Sequence, residues 1–319
     1  MLAAIEITPW HWAAFLAVIV VFLALDLGVF HKKAHVIRFK EAIGWTAVWF
    51  SLAMAFAGAL VPARGKDEAL EFLTGYLIEL SLSMDNVFVI ALIFAYFRVP
   101  SEYQHRVLFW GILGALVMRG VMIGAGAALV ERFHWTLYVF GAFLVYSGIK
   151  MMFVDDEGVH PEKNPFIKLA RRFFPISPAY EGQKFTTITA AGQRALTPLA
   201  LVLVMVETTD LVFALDSIPA IFGITTKKFI VFTSNVFAIL GLRSLYFVLA
   251  GAIEYFRYLK YGLSIVLVFI GAKMLLEYWD IKFSTIRSLA VVAGILLASI
   301  VFSVIAARRE RARHPDVPG

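Results

Sequence analysis

The sequence predicts an all-α, polytopic membrane protein of about nine transmembrane helices, and three observations carry that prediction. Of its 319 residues, 61% are hydrophobic and only 16% charged, against roughly 45–50% and about 25% in soluble domains. The apolar excess falls in blocks near or above ~18–20 residues, each long enough to cross a ~30 Å hydrocarbon core as a helix. The basic residues gather between those blocks, where retention of positive charge on one membrane face places them.

Taken in order, the apolar blocks place spans at 10–30, 42–62, 69–97, 107–130, 135–153, 198–222, 229–252, 261–279 and 288–306. Glu6 is the one charge ahead of the first block. The basic leader of a cleaved signal is therefore missing, and the block is read as a retained helix. With the N-terminus outside, the inner segments hold eighteen Lys and Arg, from Lys32 and Lys33 to Arg308–Arg313, and the outer segments seven. That bias puts the C-terminal tail in the cytoplasm. The long connection 154–197 mixes Asp155, Asp156 and Glu157 with the basic, aromatic run KLARRFF. It reads either as a solvated cytoplasmic loop or as a loop holding an interfacial helix.

The net charge of +6 follows this topology and implies no nucleic-acid partner; membrane lipid is the surrounding medium. There is no cysteine, which excludes disulfides, thiolate metal ligation and cysteine nucleophiles. No GxxxxGK[ST] motif is present, so a gradient is the expected energy source for any transport.

An internal repeat organises the chain. SMDNVFVIALIFAYFRV (83–99) aligns with TTDLVFALDSIPAIFGI (208–224), setting Asp85 opposite Asp210. ILGALVMRG (112–120) resembles FAILGLRSL (237–245), pairing Arg119 with Arg243, and FLVYSGIKMM (143–152) resembles VLVFIGAKML (266–275), pairing Lys150 with Lys273. Each copy holds three spans, an odd number, so the copies enter the membrane from opposite sides, a common construction of secondary transporters. The expected layout is two leading helices (1–68), a first three-helix repeat (69–153), the connection (154–197), a second repeat (198–279), and a last helix with a basic tail (280–319).

The chemistry lies in the third and sixth spans. ELSLSMDN supplies Glu79, Ser83, Asp85 and Asn86; ETTDLVFALDSIP supplies Glu207, Thr209, Asp210 and Asp216. An ionised carboxylate at mid-bilayer costs roughly 2.5–3.5 kcal/mol, so five of them cost on the order of 10 kcal/mol unless compensated. Protons, basic partners, water and a bound cation are the available compensations. Structural ion pairs account for one or two acids and poorly for five. At ~100° per residue, Glu79, Ser83 and Asn86 share a face while Asp85 points roughly 120° away, and Asp216 lies about opposite Glu207. A helix broken at Pro219 is expected to re-aim Asp216 inward.

The donors are oxygen alone, a set suited to Mn²⁺, Mg²⁺ or Ca²⁺ rather than to Zn²⁺ or Cu⁺. The predicted metal site is Glu79, Asp85, Asn86, Glu207, Asp210 and Asp216, with Ser83 and Thr209 as supporting hydroxyls. Arg119 and Arg243 fall inside spans and read either as partners of the site acids when the cation is absent or as static ion pairs. Lys150 and Lys273 lie near span ends and are expected to snorkel. Asp26, near the inner end of the first span, either guards the cytoplasmic mouth or pairs with Lys32 or Lys33.

These motifs resemble the TerC family of integral membrane proteins, through LDLGVFHKK (25–33), ELSLSMDNVFV (79–89), ETTDLVFALDSIPA (207–220) and TSNVFAILGLRSLYF (233–247). The resemblance covers most of the chain. It implies export of manganese(II) as transported substrate across the bacterial cytoplasmic membrane, coupled to protons, with the six metal-site residues above in the transport site. No organic cofactor and no enzymatic activity are expected. The rival readings are a metal-binding scaffold or metal-loading partner for secreted proteins, export of another hard divalent cation such as calcium, and an intramembrane aspartyl hydrolase built on Asp85 and Asp210.

Overall fold

The structure is a computed structural model and describes residues 7–25, 39–153, 161–188, 192–250, 259–281 and 283–313. Ten α-helices follow in chain order: α1 (Pro9–Leu25), α2 (Phe39–Arg64), α3 (Lys66–Tyr96), α4 (Ser101–Arg132), α5 (Thr136–Phe153), α6 (Pro165–Phe173), α7 (Pro198–Phe222), α8 (Lys228–Ala250), α9 (Leu259–Leu276) and α10 (Thr285–Arg313). Eight of them, α2–α5 and α7–α10, are long and apolar enough to cross a membrane, and α1 contributes a shorter apolar helix. Residues 26–30, the predicted end of the first span, and Asp26 with them, lie outside the described residues. The protein is an all-α polytopic membrane protein.

α8 is the most enclosed of the long helices, and α2, α5 and α10 are the most exposed. Outward faces carry exposed apolar side chains such as Val121, Val139, Leu297 and Phe302. A bilayer solvates such surfaces, while the backbone polar groups behind them are satisfied within each helix. Association between the helices therefore rests on close packing. α5 and α9 show it best: a Cβ placed on Gly271 would stand 2.5 Å from the Gly141 carbonyl oxygen, and one on Gly148 2.7 Å from that of Ser264.

Those two contacts also fix direction. Positions rise along α5 as they fall along α9, so the two helices are antiparallel. α3 and α7 are antiparallel too, with Gly75 against Ile221 and Asn86 against Asp210. So are α4 and α8, where Arg119 meets Asn235 and Glu131 meets Lys228. Two further large interfaces run parallel. In α3 and α8, Phe72 meets Phe237 and Phe94 meets Tyr246; in α4 and α7, Gly111 meets Val206 and Gly126 meets Phe222.

The connection between α5 and α7 is folded where it is described. Asn164 caps α6, its side-chain oxygen accepting from the Phe166 and Ile167 amides. Ile167 inserts into the apolar cluster built by Val87, Leu108 and Met205. Two short strands, β1 (Thr186–Ile188) and β2 (Arg194–Leu196), pair antiparallel. Tyr180 donates its O–H to the Phe97 carbonyl at 2.7 Å, tying the connection to the end of α3. Meanwhile Phe166, Leu169, Phe173 and Phe174 stay exposed beside Lys168, Arg171 and Arg172. This is the composition of the interfacial-helix alternative.

The expected break at Pro219 does not occur. α7 runs unbroken from Pro198 to Phe222. Pro219 lies in the last turn, where forfeiting one N–H to the Leu215 carbonyl interrupts little. The amides of Gly223 and Ile224 bond the Pro219 and Ile221 carbonyls and close the helix end. Lys273 donates to the Gly223 carbonyl at 3.1 Å, a cation placed at the negative end of α7's dipole.

Candidate metal centre

An intact α7 still brings Asp216 to the site, because the site lies where α7 crosses α3. A small enclosed void of about 10 Å³ is lined by Glu79, Leu82, Asp85, Asn86, Arg119, Met151, Phe213, Asp216 and Ser217. That is room for the centre of about one water-sized particle. On α3 the void faces an arc of roughly 120°. Glu79 and Asn86 stand at one edge of that arc, Leu82 at its middle and Asp85 at the other edge. α7 presents the same arc. Its series Asp210-x-x-Phe213-x-x-Asp216-Ser217 repeats the α3 series Glu79-x-x-Leu82-x-x-Asp85-Asn86 in order, spacing and chemistry. Acid, bulky apolar residue, acid, and small hydrogen-bonding residue occur in both.

This register differs from the one the best identity match picks. The sequence alignment sets Asp85 opposite Asp210. The acid spacing pairs Glu79 with Asp210 and Asp85 with Asp216 instead, about one and two-thirds turns along.

Arg119 of α4 links the two halves. Its Nε donates to Asp210 Oδ2 at 3.1 Å and its Nη2 to Asp210 Oδ1 at 2.8 Å, a two-pronged pairing. Its Nη1 forms an ion pair with Glu79 Oε1 and donates to Asn235 Oδ1 at 3.2 Å and Ser217 Oγ at 3.4 Å. Asn235 of α8 donates its Nδ2 to Glu79 Oε2 at 3.0 Å. Each acid thus receives a polar group from the middle helix of the opposite half, a guanidinium for Asp210 and an amide for Glu79. Arg119 and Glu79 are among the most buried side chains in the chain, at 2% and 0% exposure. Asn86 donates to Asp210 Oδ1 at 3.4 Å, while its own amide oxygen has no hydrogen-bond partner among the described residues. Asp216 accepts from Ser147 of α5 at 2.6 Å.

As placed, no three Asp, Glu or His side chains among the described residues stand together closely enough to hold a metal ion. The guanidinium occupies the space between Glu79 and Asp210. Chemically the cluster is a hard-oxygen donor set with a cationic plug: four carboxylates, an unsatisfied amide oxygen and hydroxyls, shielded from lipid.

Comparison with known proteins places the chain in a family. The model of the "Integral membrane protein TerC family" matches residues 64–311. The chain belongs to the TerC family. Its relatives include the "Uncharacterized membrane protein STKORF319" of Myxococcus xanthus, 52% identical over 98% of this chain and 97% of that one. The "Putative membrane-bound redox modulator Alx" of Escherichia coli K12 is 44% identical over 93% of this chain and 94% of its own. An "Uncharacterized membrane protein" of Rickettsia bellii is 41% identical over 92% and 97%. No solved structure matches the chain.

Within this TerC protein, the other sequence-predicted residues lie around the void rather than in it. Glu207 packs into the space left by Gly114 of α4, where an added Cβ would meet its carboxylate, and its Oε2 is buried with no partner among the described residues. Thr209 spends its hydroxyl on the Met205 carbonyl of its own helix at 2.8 Å. Ser83 is fully buried on the Glu79–Asn86 face but does not line the void. Arg243 is buried on the far side of Asp210, lining a second small cavity with Asp210, Gly111 and Leu242. Asn235, Ser147 and Ser217 complete the cluster and stand outside the predicted metal set. The run Thr233-Ser234-Asn235 inside an apolar span is the sequence signal for the first of them.

Proposed function

We propose that this TerC protein is a secondary-active exporter of manganese(II), working by alternating access at the α3–α7 crossing. One observation carries the reading. Glu79, Asp85 and Asn86 on α3 and Asp216 and Ser217 on α7 line one enclosed intramembrane void between antiparallel helices, and Asp210, bonded to Asn86 and Arg119 beside it, completes on α7 the motif of α3. Intramembrane acids that cluster away from lipid mark ion pathways, and an all-oxygen donor set suits a hard divalent cation. The antiparallel courses of α3 against α7, α4 against α8 and α5 against α9 support two inverted three-helix repeats at 69–153 and 198–279. The bias of basic residues supports an N-terminus outside and a C-terminus in the cytoplasm of a bacterial inner membrane.

In this reading Mn²⁺ is cargo rather than cofactor, no covalent chemistry is catalysed, and protons from outside exchange for the metal at the same oxygens. The relatives' name "redox modulator" fits a cysteine-free chain when the redox effect runs through a redox-active metal cargo rather than through thiols. Reconstitution into sealed vesicles tests the function. Wild-type protein moves Mn²⁺ across the membrane, and Asp85→Asn lowers that flux more than the roughly 10–100-fold expected for an outer-shell residue. Mn²⁺ binding without transmembrane movement would instead establish a metal-binding scaffold. Intact flux through the Asn variant would remove the α3 acids from the pathway.

A further inference from the structure

The position of Arg119 goes beyond a carboxylate site. A structural ion pair needs one acid per base, yet this guanidinium reaches two acids on two helices, an amide on a third helix and a serine hydroxyl. The two acids are the corresponding members of the repeated motif, Glu79 and Asp210. Arg119 therefore sits between α3 and α7, at a point to which each supplies an acid. The adjoining void has room for about one water-sized particle. A six-coordinate cation drawing on both Glu79 and Asp210 does not fit there while the guanidinium stays. Asp85, Asp216 and the unsatisfied Asn86 oxygen border the same void.

We infer that Arg119 is a tethered counter-ion that takes the cation's place between Glu79 and Asp210 when the site is empty, and that an arriving divalent cation displaces it. The inference rests on the transport reading and adds the identity of the group that competes with the cargo. Its physical basis is compensation. Two acids facing each other in a lipid-shielded space need a positive charge whether or not cargo is present. A covalently attached one supplies it for Glu79 and Asp210, leaving Asp85 and Asp216 to take up the exchanging protons when the metal-free protein changes conformation. The inferred order of events starts at the open volume beside the guanidinium. Cargo first meets Asp85, Asp216 and Asn86 at the void. Withdrawal of the guanidinium then opens Glu79 and Asp210 to it. Asn235, bonded to both Glu79 and Arg119, is a positioning residue that holds the plug on its acid.

An internal competitor has a measurable signature, because apparent affinity falls by the fraction of time the competitor occupies the site. In Arg119→Gln, Mn²⁺ itself binds about tenfold more tightly by calorimetry in detergent, at equal monodispersity. In sealed vesicles the same variant retains exchange of labelled for unlabelled Mn²⁺ within about threefold of wild type and loses net flux by about tenfold or more. Arg119→Lys restores part of the net flux. Asn235→Ala, which removes no charge, tightens Mn²⁺ binding by about threefold by loosening the plug, and it keeps the test decisive where Arg119→Gln fails to fold. Unchanged or weaker Mn²⁺ binding in both folded variants, or wild-type net flux in Arg119→Gln, makes Arg119 a static brace and overturns the inference. Wild-type protein that binds Mn²⁺ but does not move it overturns the transport reading instead, and the binding comparison still reads out the plug.

Discussion

The same two kinds of side chain meet in two places in this protein with opposite consequences. At the start of α8, Lys228 pairs with Glu131 at 2.9 Å with both side chains about half exposed, at 48% and 62%. At mid-membrane, Arg119 pairs with Asp210 at a similar 2.8 Å with the two at 2% and 10%. Distance does not separate them; solvent does. The exposed pair exchanges water for a partner of nearly equal worth and contributes about 0–1 kcal/mol. The buried pair has surrendered its water, so each member depends on the other, and removing one strands a charge at a cost of about 3–5 kcal/mol. The molecule places the expensive kind where a charge has work to do and the cheap kind where it merely decorates a helix end.

The largest expected effect tests that contrast directly. Asp210→Ala leaves Arg119 with Glu79 and Asn235 in a space built for two acids, and is predicted to lower stability by about 3–5 kcal/mol. Glu131→Ala is predicted to cost less than about 1 kcal/mol. Thermal unfolding of the detergent-solubilised protein compares the two. Equal shifts would mean that water reaches Arg119, and the lipid-shielded site would be lost with it.

A smaller effect sharpens the comparison by taking charge out of it. α5 and α9 meet through backbone, with a Cβ on Gly271 falling 2.5 Å from the Gly141 oxygen, whereas Gly294 of α10 has nothing within 4 Å of where its Cβ would be. Gly271→Leu must part the two helices, at about 1–3 kcal/mol. Gly294→Ala replaces a poor helix former in open space and is predicted to gain up to about 1 kcal/mol. Both positions are glycines in apolar helices. A destabilised Gly294→Ala would show that α10 is covered by a partner not present here.

Which parts of this were legible in the sequence follows from what each part depends on. The spans depend on block hydrophobicity, a local property, and eight of nine appear as helices long and apolar enough to cross; the described part of the first is shorter. Glu79, Asp85, Asn86 and Asp216 could be named because a carboxylate or amide inside an apolar block is conspicuous anywhere. Their convergence was harder to read. Angular spacing along a single helix makes Glu79 and Asp85 look divergent, and likewise Glu207 and Asp216, for which a helix break at Pro219 is the expected remedy. Two crossing helices need no break, since each offers an arc of side chains and the void lies between the arcs. The repeat admits two registers: identity rewards the shared Asp and Phe of MDNVF and TDLVF, whereas the acid-apolar-acid spacing pairs Glu79 with Asp210 and Asp85 with Asp216. Asn235 carries no charge, and its meaning depends on which helix crosses α3, which no local pattern records.

The smallest expected effect separates burial from proximity within one end of the molecule. Lys227 and Lys228 are neighbours in sequence, yet they face different surroundings. Lys227 reaches Glu68 at 3.3 Å and Glu71 at 3.1 Å, acids only 10% and 13% exposed, while Lys228 reaches the open Glu131. Glu68 keeps Arg64 at 2.7 Å and Glu71 keeps the Thr225 hydroxyl at 2.8 Å when Lys227 is removed. Lys227→Ala is therefore predicted to cost about 1 kcal/mol rather than the penalty of a stranded charge, and Lys228→Ala less than about half of that. Raising the salt from about 0.1 to 1 M shortens the screening length from about 10 to 3 Å, which should erase the Lys228 effect first and spare more of the Lys227 effect. Unfolding midpoints of the two variants at both salt concentrations supply the measurement. If Lys228→Ala costs as much as Lys227→Ala at either salt, exposure is not what grades these pairs, and the contrast drawn with Arg119 and Asp210 needs a different cause.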